Sequence, residues 1–127
     1  MTLGKLILSA GGAAILFGAG MLVGANRFGE PKSVLHVVTV RWKADSTPQQ
    51  RQAALDGVKK MAGEIPGIKN VWLKTLKVQG ENYDNAFAIE FDSEAAFKAY
   101  ADAAAHQDWN KVYMPVRDQS TTHDITN

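Results

Sequence analysis

Among side chains able to move a proton near neutral pH, His106 comes first, because an imidazole with an unperturbed pKa of ~6.5 can accept or release one there. Tyr100, six residues earlier, adds a phenol that can donate. These two are the candidate catalytic residues, and His36, Asn85 and Trp109 are the candidate ligand-binding residues around them. Each has a plainer explanation. Tyr100 stands at helical spacing from Phe97 and Ala104 and reads equally as a core aromatic whose hydroxyl reaches the rim. His106 reads as a cap or a cation at a helix end, and His36, in an apolar run, as a satisfied core histidine. No metal is expected, since His123-Asp124 and the pair His106 and Asp108 each lack a third ligand. No cofactor is expected either: the chain has no phosphate loop, dinucleotide fingerprint or nucleophile motif. The absence of cysteine excludes a disulfide framework, a thiolate metal site and a cysteine nucleophile.

The elements that must position these residues follow from pattern. Residues 34–42 (VLHVVTVRW) are β-branched and nearly apolar on both parities, as in a strand covered on both faces, with His36 sharing a face with Val38, Val40 and Trp42. Thr47, Pro48 and Gln50 spell an N-cap, a first-turn proline and the glutamine of a capping box, so a helix starts at Pro48. Its apolar stripe is Leu55, Val58, Met61, Ala62 and Ile65, and Ile65-Pro66-Gly67 ends it. A second strand is expected over 71–78, a turn over 80–84 and a third strand over 86–91, where Phe87, Ile89 and Phe91 share a face with Asn85. Ser93 caps a second helix with Glu94 in its first turn; Phe97, Tyr100, Ala101 and Ala104 form its buried stripe. A short helical or irregular piece carries Trp109, Val112 and Tyr113 to Pro115, and residues 120–125 supply a last strand.

This order, β-α-β-β-α-β, predicts an α+β, ferredoxin-like domain: an antiparallel sheet with two helices on one face. Two helices cover one face only, while the first and third strands are apolar on both, so a second subunit is expected on the other face. His36, Ile65-Pro66-Gly67, Phe91-Asp92-Ser93, Tyr100, His106 and Asp124 together resemble the stress-responsive dimeric α/β-barrel (Dabb) family over residues 34–125. The resemblance implies a homodimer whose two sheets pair into a barrel, with a pocket in each subunit between sheet and helices. It also implies a role for Tyr100 and His106, which match a tyrosine and a histidine used by a plant polyketide cyclase of this family. That enzyme has a histidine where this chain has Asn85.

Ahead of the domain, residues 6–26 carry no charge, and a run of about 20 such residues is long enough to cross a bilayer as a helix. Residues 1–25 are therefore expected to be a signal peptide or a transmembrane anchor, residues 26–33 a linker and residues 34–127 the barrel domain. Small residues at four-residue spacing (Ala10, Ala14, Gly18; Gly20, Gly24) suit close helix contact, and are also common in such helices generally. An uncleaved anchor would tether the protein to the membrane, where subunits of a membrane complex are a further class of partner; the signal-like pattern places the domain outside the cytoplasm, periplasmic or secreted. Fourteen basic and thirteen acidic residues, without a basic stripe, leave no footprint for nucleic acid.

Two functions are compatible with these observations. One is a non-catalytic dimerisation, interaction or accessory module, which the sequence favours because only the Tyr100 and His106 pair speaks for chemistry. The other is a small-molecule-binding or acid/base enzyme working in the helix-sheet cleft. An open cavity at Tyr100 and His106 would distinguish the second from the first.

Overall fold

Thr47 and Gln50 form the capping box anticipated from their spacing: the Thr47 hydroxyl accepts from the Gln50 N–H at 3.1 Å, and the Gln50 carboxamide accepts from the Thr47 N–H at 2.9 Å. From there helix α1 runs Pro48–Glu64, laying Leu55, Val58 and Met61 inward. In this computed structural model, which describes residues 27–80 and 82–127, α1 follows strand β1 (Val34–Trp42) and precedes β2 (Ile68–Trp72) and β3 (Asn85–Phe91). Helices α2 (Glu94–Tyr100) and α3 (Ala104–Tyr113) and strand β4 (Arg117–Ile125) complete the domain. The antiparallel sheet has the order β2-β3-β1-β4, so the ferredoxin-like expectation holds. At the corner after α1, Gly67 has φ +89°, and a Cβ there would lie 2.5 Å from that of Ala96, so only glycine fits.

Local differences from the sequence reading have local causes. The second strand occupies Ile68–Trp72 rather than 71–78. Past Trp72 the hydroxyl of Thr75 accepts from the Ala86 N–H at 2.9 Å and donates to the Ala86 carbonyl at 2.8 Å, so a side chain replaces the ladder there. The last strand begins at Arg117, not residue 120, because β1 extends to Trp42 and pairs with Arg117 across a bulge. The expected short piece after His106 is a full ten-residue helix, α3, with Trp109 and Tyr113 buried one turn apart. The chain leaves the helical path after Tyr100 and restarts at Ala104. Ala101 and Ala104, expected in one buried stripe with Tyr100, are consequently exposed.

Register assigns the two faces of the sheet. Val34, His36, Val38, Val40 and Trp42 face the helices, opposite Phe87, Ile89 and Phe91 of β3 and Ser120, Thr122 and Asp124 of β4. Val40, Val58, Ile89, Phe91 and Met61 form the fully buried centre. The outer face carries Leu35, Val37, Ala86, Ala88 and the half-exposed Trp72 and Ile125. Polar pairs stud it: Glu90 accepts from Ser33 at 2.7 Å and from Asn70 at 2.7 Å, and Arg41 donates to Asp118 at 2.6 Å. The hydrogen bonds from Asn70 and then Ser33 hold the Glu90 carboxyl below its usual pKa, against a smaller opposing effect of burial.

The apolar segment expected over residues 6–26, with the assignment of residues 1–25 as signal or anchor, lies outside the described residues. Residues 27–33 of the expected linker contain neither helix nor strand. Among the described residues no helix is long and apolar enough to cross a membrane.

Candidate functional site

Strand β4 is an edge strand on which, among the described residues, no helix packs extensively, and the step between its inner side and α3 leaves a cavity of about 160 Å³. Its walls include His36 and Val38 of β1, Phe87 of β3, Tyr100 of α2, His106, Trp109 and Tyr113 of α3, and Arg117, Ser120 and Thr122 of β4. The spacing of six between Tyr100 and His106 works because the helix breaks between them: α2 ends on one and the first turn of α3 carries the other, with ring centroids 4.2 Å apart.

Each imidazole of the cavity is oriented by a hydrogen-bond partner. His36 pairs in register with Asp124, and its Nδ1 lies 2.6 Å from Asp124 Oδ1. An ionised carboxylate only accepts, so Nδ1 carries the proton and donates, which leaves Nε2 with a free lone pair. His106 Nδ1 lies 3.0 Å from the Ala101 carbonyl, and the same reasoning leaves its Nε2 as the acceptor. This bond also caps the end of α2, so the capping role is real. His106 itself stands in the first turn of α3. Tyr100 stands between the two imidazoles, 5.7 Å from His36 and 4.2 Å from His106 by ring centroid, and packs on Phe91 at 5.0 Å. Burial, and to a lesser degree the neighbouring Tyr113, push its phenol above the ordinary tyrosine range, so it acts as a neutral O–H donor.

The five residues anticipated from sequence do not all converge. His36, Tyr100, His106 and Trp109 share the cavity; Asn85 does not line it. The Asn85 carboxamide accepts from Trp42 Nε1 at 2.8 Å and donates to Thr75 at 3.2 Å, which commits it to structure. Trp109 offers the cavity its ring alone, since its N–H donates to the Ala54 carbonyl at 2.8 Å. Gly57 of α1 makes room for that indole: a Cβ there would come within 2.8 Å of Trp109 Cδ1. Sequence reasoning missed Asp124, Tyr113 and Arg117 as site residues. The alternation of β4 was the available signal, but pairing across 88 positions is not a local pattern. A second groove of about 190 Å³ runs between α1 and α3, lined by Lys60, Glu64 and Asp108, without convergent partners. Among the described residues no cluster could hold a metal ion.

The arrangement thus offers two imidazole acceptors and one phenol donor around an apolar floor of Val38, Phe87 and Trp109, sufficient for proton transfer to and from a small bound molecule. Comparison with known proteins agrees with the architecture. A dimeric ferredoxin-like protein of unknown function from Thermobifida fusca has 24% identity and a TM-score of 0.66, covering 80% of this chain and 97% of its own. The hydroxynitrile lyase of Passiflora edulis has 17% identity and a TM-score of 0.68, covering 75% and 93%; a Dabb protein of Mesorhizobium loti has 20% and 0.62, covering 75% and 96%. At these identities the likeness concerns the fold. No curated protein sequence matches the chain. The family model described as Stress responsive A/B Barrel Domain matches residues 34–127, and this chain therefore belongs to the Dabb family.

Proposed function

We propose that this protein binds a small apolar carbonyl compound in the cavity between α3 and β4 and transfers a proton on it. His36 and His106 act as bases and Tyr100 as the hydrogen-bond donor to the carbonyl oxygen. The observation that carries this reading is the 2.6 Å bond from His36 to Asp124 on the wall of a cavity that also receives Tyr100 and His106. A carboxylate behind an imidazole fixes its tautomer and stabilises the imidazolium that forms when Nε2 takes a proton. A core histidine needs one satisfied nitrogen; a base needs the other one free and beside a space, as here. That open space favours the acid/base reading over the accessory module preferred from sequence. The test is deuterium exchange at the methyl group of acetophenone in D₂O, followed by NMR. Catalysed exchange should fall about 10²- to 10⁴-fold in His106→Ala without loss of the folded spectrum. Exchange at the uncatalysed rate in the wild type, with no shift of either histidine ring signal, overturns the proposal.

The same reading includes a homodimer formed through the outer sheet face. Its support is the apolar set Leu35, Val37, Ala88, Trp72 and Ile125, together with structural neighbours described as dimeric. Sedimentation equilibrium of residues 31–127 at micromolar concentration should return twice the monomer mass; a monomer there rejects the barrel dimer.

A further inference from the structure

One stretch of the cavity wall has no use in the acid/base reading. The chain turns directly from α3 into β4, which therefore runs back along the helix. His106 stands at the end of the cavity that holds His36 and Tyr100, while Tyr113 and Arg117 meet at the other, 6.0 Å from ring centroid to guanidinium carbon. Between the ends, Asn110 lines the cavity one turn beyond His106 on the same side of α3. On the opposite wall β4 contributes Thr122, paired with Val38 and two residues before the Asp124 that holds His36. The polar neighbours of these two are committed: Gln107 donates to the Ala101 carbonyl at 2.9 Å, Asp108 accepts from Lys111 at 3.1 Å and Ser120 accepts from Arg117 at 3.0 Å. Among the described residues neither the Asn110 carboxamide nor the Thr122 hydroxyl has a hydrogen-bond partner, and neither side chain is buried, so both are free to meet a ligand.

We infer that Asn110, with Thr122 across from it, is the specificity-determining residue of this cavity and selects carbonyl compounds that also carry a neutral hydroxyl group. A carboxamide has an acceptor oxygen and two N–H donors, and a threonine hydroxyl likewise donates and accepts. A ligand hydroxyl does both as well and satisfies both walls, whereas a carboxylate only accepts and an ammonium only donates. Spacing sets where that hydroxyl sits. Asn110 is about 6 Å from His106 along the axis of α3, at a rise of ~1.5 Å per residue, and Thr122 is about 6.6 Å from Asp124 along β4, at ~3.3 Å per residue. Both walls thus place the second polar contact one phenyl ring's length from the proton-transfer end, the span from the carbonyl carbon of an aryl ketone to an oxygen at its para position. Val38, Phe87 and Trp109 supply the apolar surface for the ring between them. This inference rests on the cavity being the site of proton transfer, and adds what the substrate carries besides its carbonyl.

The test measures deuterium exchange at the acetyl methyl of 4-hydroxyacetophenone and of 4-methylacetophenone, which has nearly the same shape without the hydrogen bond, using the full-length protein in D₂O near neutral pD. Each kcat/KM is divided by the uncatalysed rate of its own compound, so that intrinsic acidity cancels. The wild type should favour the hydroxyl compound about three- to tenfold, as a net hydrogen bond to a neutral partner does, with the difference in KM. Asn110→Leu should bring that ratio close to one. Thr122→Val, which keeps the shape of the side chain and loses its hydroxyl, should lower the ratio about twofold or more. A ratio of one in the wild type, or a preference that survives Asn110→Leu, overturns the assignment, and catalysed exchange of both ketones then leaves the acid/base cavity standing. Should Asn110→Leu not fold, an undiminished preference in Thr122→Val overturns it instead. Exchange of neither ketone above its uncatalysed rate removes this inference and the acid/base reading together.

Discussion

The inner face of the sheet has a sealed half and an open half. Under α1 and α2, strands β3 and β1 present Ile89, Phe91 and Val40, all fully buried, against Val58 and Met61. Toward β4 the same face offers His36, Ser120, Thr122 and Asp124, all at least partly exposed. A complete layer excludes water, so only apolar side chains are tolerated in it. An incomplete layer leaves polar side chains at its margin solvated on one side and ordered on the other, which is where they can be both stable and reactive. The cavity is thus a consequence of a helical layer too narrow for a four-stranded sheet.

Truncations in the two halves should separate them most clearly. Phe91→Ala should cost about 3–5 kcal/mol in chemical denaturation, whereas Thr122→Ala, on the inner side of β4, should change stability by no more than about 0.5 kcal/mol. Similar costs at both positions would mean that β4 is sealed as well. A smaller effect sharpens the boundary between the halves, where Tyr100 belongs to both. Its folded-state pKa lies above the unfolded value of about 10, so both states keep the proton below that pH and nothing is lost. Stability declines as pH rises past about 10 toward the folded value, because only the unfolded chain then gains by ionising. Tyr100→Phe should flatten that alkaline decline in thermal midpoint measured between pH 8 and pH 11. An unchanged decline would show that the phenol is not held in a desolvated place.

How much of this was legible beforehand depended on range. The capping box at Thr47, the stripe Leu55, Val58 and Met61, the alternation of β3 and the cap at Ser93 are contacts within a few residues, and they placed α1, β3 and the start of α2 correctly. The order of elements then implied the fold. Where local pattern competed with a distant partner, it misled: β2 stopped early because Thr75 bonds Ala86, and β4 began early because Trp42 extends β1. Tyr100 and His106 could be named as a pair from their side-chain chemistry and from the family resemblance, although the helix break that brings the rings together was not in view.

By itself, then, the sequence determined which residues prefer helix or strand, which face of each is apolar, and that two imidazoles, a phenol and an aspartate lie on elements of one sheet-and-helix domain. Propensity, capping and periodicity are properties of neighbours along the chain. Only the tertiary structure decided that Asp124 sits behind His36, that Asn85 is spent on Trp42 and that Tyr113 and Arg117 share the cavity with both histidines. Those relations are set by strand register and by the width of the helical layer, which depend on how distant segments compete for the same buried surface.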